Sequence, residues 1–294
     1  MRKMTNKDFE ILDSCPWDGD NEKAFIHLYY DKFGCEVVKC QKCGIVFARK
    51  RLNSIGLKKY WSDYLSRVHI HNPIAVEQRQ MMYQIDYNFI SNYVKYGKVL
   101  DIGCGKGDFL ALFEQNGFSA DGVEFGKEAA VKAKKMHSVY CGEFPKIDFY
   151  KKYDLIIFRG VLQYVPKPKE YLNKAVNLLE NNGLIFITAQ PNVESLCFKL
   201  FKDKFTQPVT GSDFIGYSEK IFTDFFKEQG LLKISERYFY EQTPYANIED
   251  DILKVAKAIK YKRTGKNIDF MSPAFYGNMM SLVYRKEEKE RLNT

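Results

Sequence analysis

The sequence lacks the features that mark membrane and secreted proteins. No apolar run approaches the roughly 20 residues that a helix needs to span a bilayer. The first eight residues carry charges and no apolar segment follows them, so we expect no signal peptide and a cytoplasmic location. Internal repeats and low-complexity segments are also absent from the sequence, which excludes a repeat array and predicts an ordinary globular fold.

The excess of positive charge is too small and too evenly spread to indicate nucleic-acid binding. The chain of 294 residues has a formal net charge of +8, and its basic residues are distributed along it. A solvated, lysine-rich surface explains this charge better than a nucleic-acid footprint, and a basic balance also suits small anionic substrates such as nucleotide-linked sugars. An apolar content of 45% provides a sizeable core, and the length suggests one large domain, alone or with a small module.

Three alternating glycines follow an apolar strand at residues 99–110, which read VLDIGCGKGDFL. A strand that ends in such a turn and opens a helix brings backbone N–H groups up to a bound nucleotide-like cofactor. The spacing is not the G-x-G-x-x-G of dinucleotide sites, because Asp108 stands where the third glycine would be. Asp101, just before the first glycine, suits a cofactor with an amine and a sulfonium better than one with phosphates.

A carboxylate at Glu124, nineteen residues after Gly105, provides a second cofactor signal. An acid at this distance, at the end of the next strand, accepts hydrogen bonds from ribose hydroxyls. The loop containing Gly103, Gly105 and Gly107 resembles the first motif, D/E-x-G-x-G-x-G, of the class I S-adenosylmethionine (SAM)-dependent methyltransferases. The resemblance implies a doubly wound α/β fold and SAM as the cofactor.

The resemblance covers nearly the whole chain and implies further cofactor-binding residues. Glu143 stands where the family places an acid that accepts the adenine amine, and Phe144 stands where the next residue covers the ring. The strand over 153–158 resembles the family's fourth-strand motif, and Arg159 at its end is assigned to the cofactor site. That motif often ends Leu-Glu-His-Val, whereas this chain has Gln163-Tyr164, which removes a ready general base.

Four of the seven cysteines lie before residue 45, which in a cytosolic chain points to a metal site rather than to disulfides. Cys40 and Cys43, with a glycine after the second, have the outline of a zinc knuckle. Cys15 begins a similar segment in which Asp18 replaces the second cysteine, and a carboxylate can also bind zinc. Cys35 is the alternative fourth ligand, although on a strand its odd separation from Cys40 directs it to the other face. Loss of the metal, with the cysteines kept as packing residues, stays open.

The cysteine segment resembles the small zinc ribbons that precede the catalytic domain in a group of bacterial methyltransferases acting on sugars and surface glycans. Their pattern is C-P-x-C-G, then C-x-x-C-G and two hydrophobic residues, followed by a tyrosine-rich helix. Residues 57–64, with Tyr60 and Tyr64, fit that continuation. The resemblance implies a zinc ion held between the two knuckles. It also implies a nucleotide-linked sugar or glycan precursor as the methyl acceptor, and a role in polysaccharide biosynthesis.

Strand and helix signals divide the chain into three segments. Residues 1–55 form the zinc-ribbon-like module, residues 56–97 a helical connector, and residues 98–294 a doubly wound, Rossmann-like methyltransferase domain. Insertions near 190–216 and 242–272 lie at the edge where such insertions usually cover the substrate. The lysines of the second insertion are either the solvated face of a helix or a clamp for a phosphate. We predict strands over 98–102, 118–124, 139–140, 153–158, 183–188, 231–234 and 279–284, and helices over 73–96, 107–116, 127–136, 167–179, 218–229 and 251–259.

Three residues near the expected pocket are candidates for removing a proton from the acceptor, which a sugar hydroxyl or an amine requires in addition to alignment. They are Tyr164, Asp213 and Tyr217, and each could equally serve in binding or packing. Two other functions stay open. An RNA methyltransferase is disfavoured by the spread of basic residues and by the lack of an Asn-Pro-Pro-Tyr-type motif. A non-catalytic scaffold is disfavoured by the intact glycine loop and its flanking acids.

Overall fold

The computed structural model describes residues 4–62 and 72–288. The N-terminal part forms two small antiparallel sheets. In the first, β1 pairs with β5, and in the second, β2, β3 and β4 form a meander. These strands are β1 (Phe9–Ile11), β2 (Phe25–Tyr30), β3 (Glu36–Cys40), β4 (Val46–Ala48) and β5 (Lys50–Leu52).

Two helices connect these strands to the rest of the chain, α1 (Ser54–Ser62) and α2 (Pro73–Ile90). The start of α2 is the predicted one, because the Asn72 side chain caps the first turn and Pro73 occupies its first position. The helix ends earlier than the predicted 73–96. The Asn92 side chain donates to two of the last helical carbonyls and so competes with the helical hydrogen bonds. Tyr64 lies outside the described residues.

A seven-stranded sheet dominates the part of the chain that the structure describes, with strand order β12-β13-β10-β9-β6-β7-β8. The five strands from β6 to β10 run parallel, and β13 is antiparallel to both of its neighbours. This arrangement confirms the predicted doubly wound α/β fold. Strands in this part are β6 (Lys98–Ile102), β7 (Ser119–Glu124), β8 (Ser138–Cys141), β9 (Tyr153–Arg159), β10 (Leu179–Pro191), β11 (Ile215–Gly216), β12 (Leu231–Arg237) and β13 (Met279–Lys286).

Both faces of the central sheet are buried. In β9, Ile156 and Phe158 pack in one hydrophobic cluster, whereas Leu155 and Ile157 pack in another. Alternate side chains point to opposite faces of a strand, which explains why this segment is a continuous apolar run. The remaining helices are α3 (Asp108–Gln115), α4 (Lys127–Ala133), α5 (Pro168–Leu178), α6 (Leu196–Phe201), α7 (Glu219–Glu228) and α8 (Ile248–Arg263).

The first insertion completes the sheet of the N-terminal meander. Strand β11 pairs with β4, with Ile215 opposite Phe47 and Gly216 opposite Val46. The Ala48 N–H also donates to the Phe214 carbonyl at 3.1 Å. Segments that the sequence assigns to different units therefore share one hydrogen-bonded sheet. No helix in the described ranges has the length and apolar character needed to cross a membrane.

Candidate active site

A cavity of about 1060 Å³ opens at the carboxyl ends of β6, β7, β9 and β10. Its volume is at the upper end of the range for small-molecule sites. One side is formed by the glycine loop and by residues of α1 and α2, and the other side by both insertions. The position agrees with the rule that open α/β sheets bind ligands outside the carboxyl ends of their strands.

The glycine loop is fastened to the neighbouring strand by its backbone. The N–H groups of Gly103 and Cys104 donate to the Val123 carbonyl at 2.7 and 3.1 Å. Gly105 has a φ of +59° and faces open space where a side chain would project, so glycine keeps this part of the wall clear. Gly103 and Gly105 line the cavity, whereas Gly107 lies behind the wall at the start of α3.

Glu124 holds the loop from the end of β7. One carboxylate oxygen accepts a hydrogen bond from Gly105 N–H at 2.8 Å, and the other accepts from Gly126 N–H at 2.6 Å. Burial raises the pKa of this carboxyl, and the backbone donors partly oppose the rise. The residue lines the cavity beside the loop, where the sequence places it.

Asp101 lines the cavity at the end of β6 and is buried. Its Oδ1 has no hydrogen-bond partner among the described residues. Burial raises the pKa of Asp101 to about 7, and the nearby Arg159 opposes the rise. A buried carboxylate oxygen without a donor is unfavourable, and a cation or an N–H group of a ligand in the cavity would satisfy it.

A buried ionic network that the sequence reasoning missed lies next to Asp101. Asp86 of α2 accepts hydrogen bonds from Arg159 Nε at 2.8 Å and from Thr188 Oγ1 at 2.7 Å. The Arg159 guanidinium also lies 4.4 Å from the centre of the Tyr83 ring, a cation–π distance. All four residues line the cavity. The signal in the sequence was an acid on the apolar stripe of a helix, one turn before Phe89.

Glu143 and Phe144 also line the cavity, as the resemblance implies. Glu143 pairs with Lys146 at 2.6 Å. Phe144 packs at the same time into the core against Phe149 and Tyr171.

The structure brings two of the three candidate proton acceptors together. Tyr164 lines the cavity, with its ring centre 5.0 Å from that of Trp61 in an edge-on contact. Asp213, a half-buried carboxyl that does not line the cavity, interacts with the Tyr164 side chain and accepts a hydrogen bond from Ser212 Oγ at 3.0 Å. Burial raises the pKa of Asp213, and the Tyr164 side chain partly opposes the rise. A ligand in the cavity can therefore contact Tyr164, and the Tyr164 side chain lies next to Asp213.

Tyr217 does not lie on the cavity wall. It is fully buried, and its hydroxyl donates to the Leu162 carbonyl at 3.0 Å. Burial raises its pKa well above the usual value. The expectation that this residue faces the pocket is wrong, because the turn before α7 directs its ring into the core.

The lysine-rich face of the second insertion also lies away from the cavity. The lining contains no residue of α8. Lys257 instead lies over the rings of Tyr261 and Phe270 at 5.4 and 4.6 Å. The structure therefore gives no support to a phosphate clamp formed by this helix.

The predicted metal ligands lie together at the two knuckles. The ligand atoms of Cys15, Asp18, Cys40 and Cys43 all lie within 4.8 Å of one another. Gly19 and Gly44 follow the two knuckles with nearly equal φ angles of +78° and +79°, so the segment with Asp18 turns like the cysteine knuckle. This donor set suits zinc.

Cys35 lies outside this cluster of ligand atoms. It is buried at the other end of β3, where its sulfur lies near Gly211. The structure therefore offers Asp18, and not Cys35, as the fourth donor.

The strand order and the position of the cavity are those of the class I SAM-dependent methyltransferase fold. A model of the methyltransferase domain family matches residues 70–238, more than half of the chain, and the protein belongs to this family. A ubiquinone biosynthesis O-methyltransferase of Glaesserella parasuis is 32% identical over 146 residues, which are 45% of this chain and 58% of that protein.

The chain is also similar to another curated protein and to one solved structure. An uncharacterized protein of Methanocaldococcus jannaschii is 27% identical over 176 residues, which are 54% of this chain and 45% of that protein. The chain thus spans about half the length of these curated relatives. The fold is also similar to that of the magnesium protoporphyrin IX methyltransferase of Synechocystis with bound S-adenosylhomocysteine (SAH). That comparison has a TM-score of 0.54 at 13% identity and covers 80% of this chain and 100% of that chain.

Proposed function

We propose that the protein transfers a methyl group from SAM to a small hydroxyl-bearing acceptor, a sugar or glycan precursor such as a nucleotide-linked sugar. The observation that carries the proposal is the unpartnered carboxylate oxygen of Asp101 in the wall beside the glycine loop. A SAM-like ligand brings an amino group that can donate to this oxygen. The open space at Gly105 accommodates the ligand without a clash.

The cofactor roles are assigned to groups at the strand ends. Asp101 accepts from the cofactor's amino group, Glu124 accepts from the ribose hydroxyls, and Glu143 accepts from the adenine amine. Arg159, fixed by Asp86, supplies a positive charge for the cofactor's carboxylate. When bound, SAM supplies an electrophilic methyl group on a sulfonium.

Tyr164 and Asp213 provide a route for the acceptor's proton. The acceptor hydroxyl gives its proton to the Tyr164 oxygen while the Tyr164 proton moves to Asp213. The acceptor oxygen keeps the electron pair and uses it to bond to the methyl carbon, while the bond from that carbon to the sulfonium sulfur would break and leave neutral SAH. The raised pKa of Asp213 favours proton uptake, as general base catalysis requires.

The wall opposite the glycine loop supports a neutral, hydroxyl-bearing acceptor ring. The segments 205–207, 239–245 and 274–281 contribute no charged side chain to the lining, and most of their lining residues have aromatic, amide or hydroxyl groups. On another part of the wall, Lys106 and Lys167 are each paired with a nearby acid, at 3.1 and 2.8 Å. The lining residues of the uncharged wall that carry the argument are Phe205, Gln207, Tyr240, Thr243, Tyr245 and Phe275.

Zinc at the knuckles is the second part of the proposal. Cys15, Asp18, Cys40 and Cys43 hold the ion as a structural site, in the cytoplasm where thiols stay reduced. We expect one zinc per chain by elemental analysis and none in the Cys43→Ser variant. Cys35→Ser, a buried cysteine outside the cluster, keeps its zinc. Loss of zinc from Cys35→Ser alone would contradict the ligand set.

The methyl-transfer proposal is tested with SAM carrying a labelled methyl group and a panel of acceptors. The panel contains nucleotide-linked hexoses, free sugars, a catechol and mixed RNA. We expect label in a sugar hydroxyl, and transfer slowed by about 100-fold in the Tyr164→Phe variant. Transfer to RNA alone supports the RNA methyltransferase instead, and failure of wild-type protein to bind SAH supports the non-catalytic scaffold.

A further inference from the structure

The first knuckle touches the catalytic part of the molecule through Trp17. Its ring packs edge-on against Tyr217 with centres 6.0 Å apart and against Phe225 with centres 5.7 Å apart. The Lys169 ammonium lies 5.2 Å from the centre of the same ring. Because Trp17 stands between Cys15 and Asp18 in the sequence, the conformation of the knuckle determines where this ring sits.

Tyr217 connects Trp17 to the wall of the cavity. Its hydroxyl donates to the carbonyl of Leu162, the first residue of the short turn Leu162–Tyr164. The next residue of the turn, Gln163, accepts a hydrogen bond from Phe214 N–H at 3.1 Å, just before strand β11. Two hydrogen bonds from the segment that completes the meander therefore hold the turn that presents Tyr164.

We propose that Trp17 and Tyr217 are positioning residues through which the knuckle module sets the place of Tyr164. The inference rests on the proposed function only for the role of Tyr164. Tyr217 does not line the cavity and acts through the Leu162 carbonyl. The cofactor side is held differently, because Glu124 and the glycine loop fasten each other at the ends of β6 and β7.

The test is hydrogen–deuterium exchange of the full chain without added ligand, with Tyr217→Phe compared with Tyr29→Phe. Tyr29 is a matched control, since it is also buried and its hydroxyl also donates to a backbone carbonyl, that of Val209. We expect Tyr217→Phe to speed exchange in peptides covering 160–167 by about 2- to 10-fold, the effect of one lost hydrogen bond. We expect no change in peptides covering 101–107. Equal effects of the two variants at 160–167, or equal acceleration at 101–107, would overturn the inference.

Calorimetric titration with SAH and the kinetics of the acceptor found in the panel complete the test. The Tyr217→Phe and Trp17→Phe variants are expected to bind SAH within twofold of wild type and to show a lower kcat or a higher KM for the acceptor. A matching loss of SAH affinity would contradict a role confined to the acceptor wall. If wild-type protein binds no SAH, the proposed function fails, whereas the exchange comparison still decides this inference.

Discussion

The cofactor side of the cavity draws its polar groups mainly from the ends of β6, β7 and β9, whereas the opposite wall is built from parts of the two insertions and from segments next to the second one. The first side contains buried acids and an arginine in fixed hydrogen bonds. The second has aromatic, amide and hydroxyl side chains, and the turn that carries Tyr164 is linked to the cysteine knuckles through Trp17 and Tyr217. The difference teaches that the two sides of one cavity are positioned by different parts of the chain, so that each side can be tested by its own substitutions.

The largest expected effect lies in the buried network on the cofactor side. Asp86→Asn leaves Arg159 without its charged partner, so we expect the free energy of unfolding to fall by about 3 kcal/mol. Urea denaturation measures the change. The matched control is Glu36→Gln, whose partner Arg49 is more exposed, and it is expected to cost less than about 1 kcal/mol. Equal losses of unfolding free energy in the two variants would contradict the expectation that the buried ion pair stabilises the fold more than the exposed one.

The raised pKa of Asp101 predicts a pH dependence of stability in the absence of ligand. The pKa of Asp101 rises from 3.8 to about 7 on folding. Between these two pH values the folded protein holds a proton that the unfolded chain has lost, so the free energy of unfolding falls as the pH rises. Asp101→Asn removes this cost, so we expect the variant to gain up to about 4 kcal/mol over wild type at pH 8. The gain disappears below about pH 4. A pH-independent difference between the two proteins would contradict the assignment.

Tyr164→Phe tests the proposed route for the acceptor's proton. Removing the hydroxyl is expected to lower kcat by about 100-fold, since a positioned proton acceptor contributes at least that much. Asp213→Asn is expected to act in the same direction, because it removes the final proton acceptor. Rates within a few-fold of wild type in both variants would show that alignment alone carries the reaction.

The smallest effect is expected at the lysines of α8. Lys254→Ala and Lys257→Ala should leave the acceptor KM within twofold of wild type, because α8 does not line the cavity. A larger increase with a phosphate-bearing acceptor would restore the phosphate clamp.

The sequence predicts more of the cofactor side of the cavity than of the opposite wall. The glycine loop, Glu124 and the central strands depend on local patterns. The structure places Gly103, Gly105 and Glu124 on the cavity wall, and Gly107 behind it. Asp86 and the pairing of β11 with β4 depend on contacts between residues far apart in the chain, which no local pattern reports. Tyr217 was misplaced for the same reason, because the direction of a side chain in an insertion is decided by the core it packs against.

The central claim is that the cavity is divided into a cofactor side and an acceptor side. Calorimetric titration of SAH into three variants tests this claim most directly. Asp101→Asn is expected to weaken binding by about 30- to 100-fold, because a buried charge partner of the ligand's amino group is lost. Tyr164→Phe is expected to bind within twofold of wild type. Asp121→Asn, a buried acid on β7 that pairs with Tyr153 away from the cavity, is the matched control and keeps its affinity. Unchanged affinity in Asp101→Asn, or a comparable loss in Tyr164→Phe, would contradict the account.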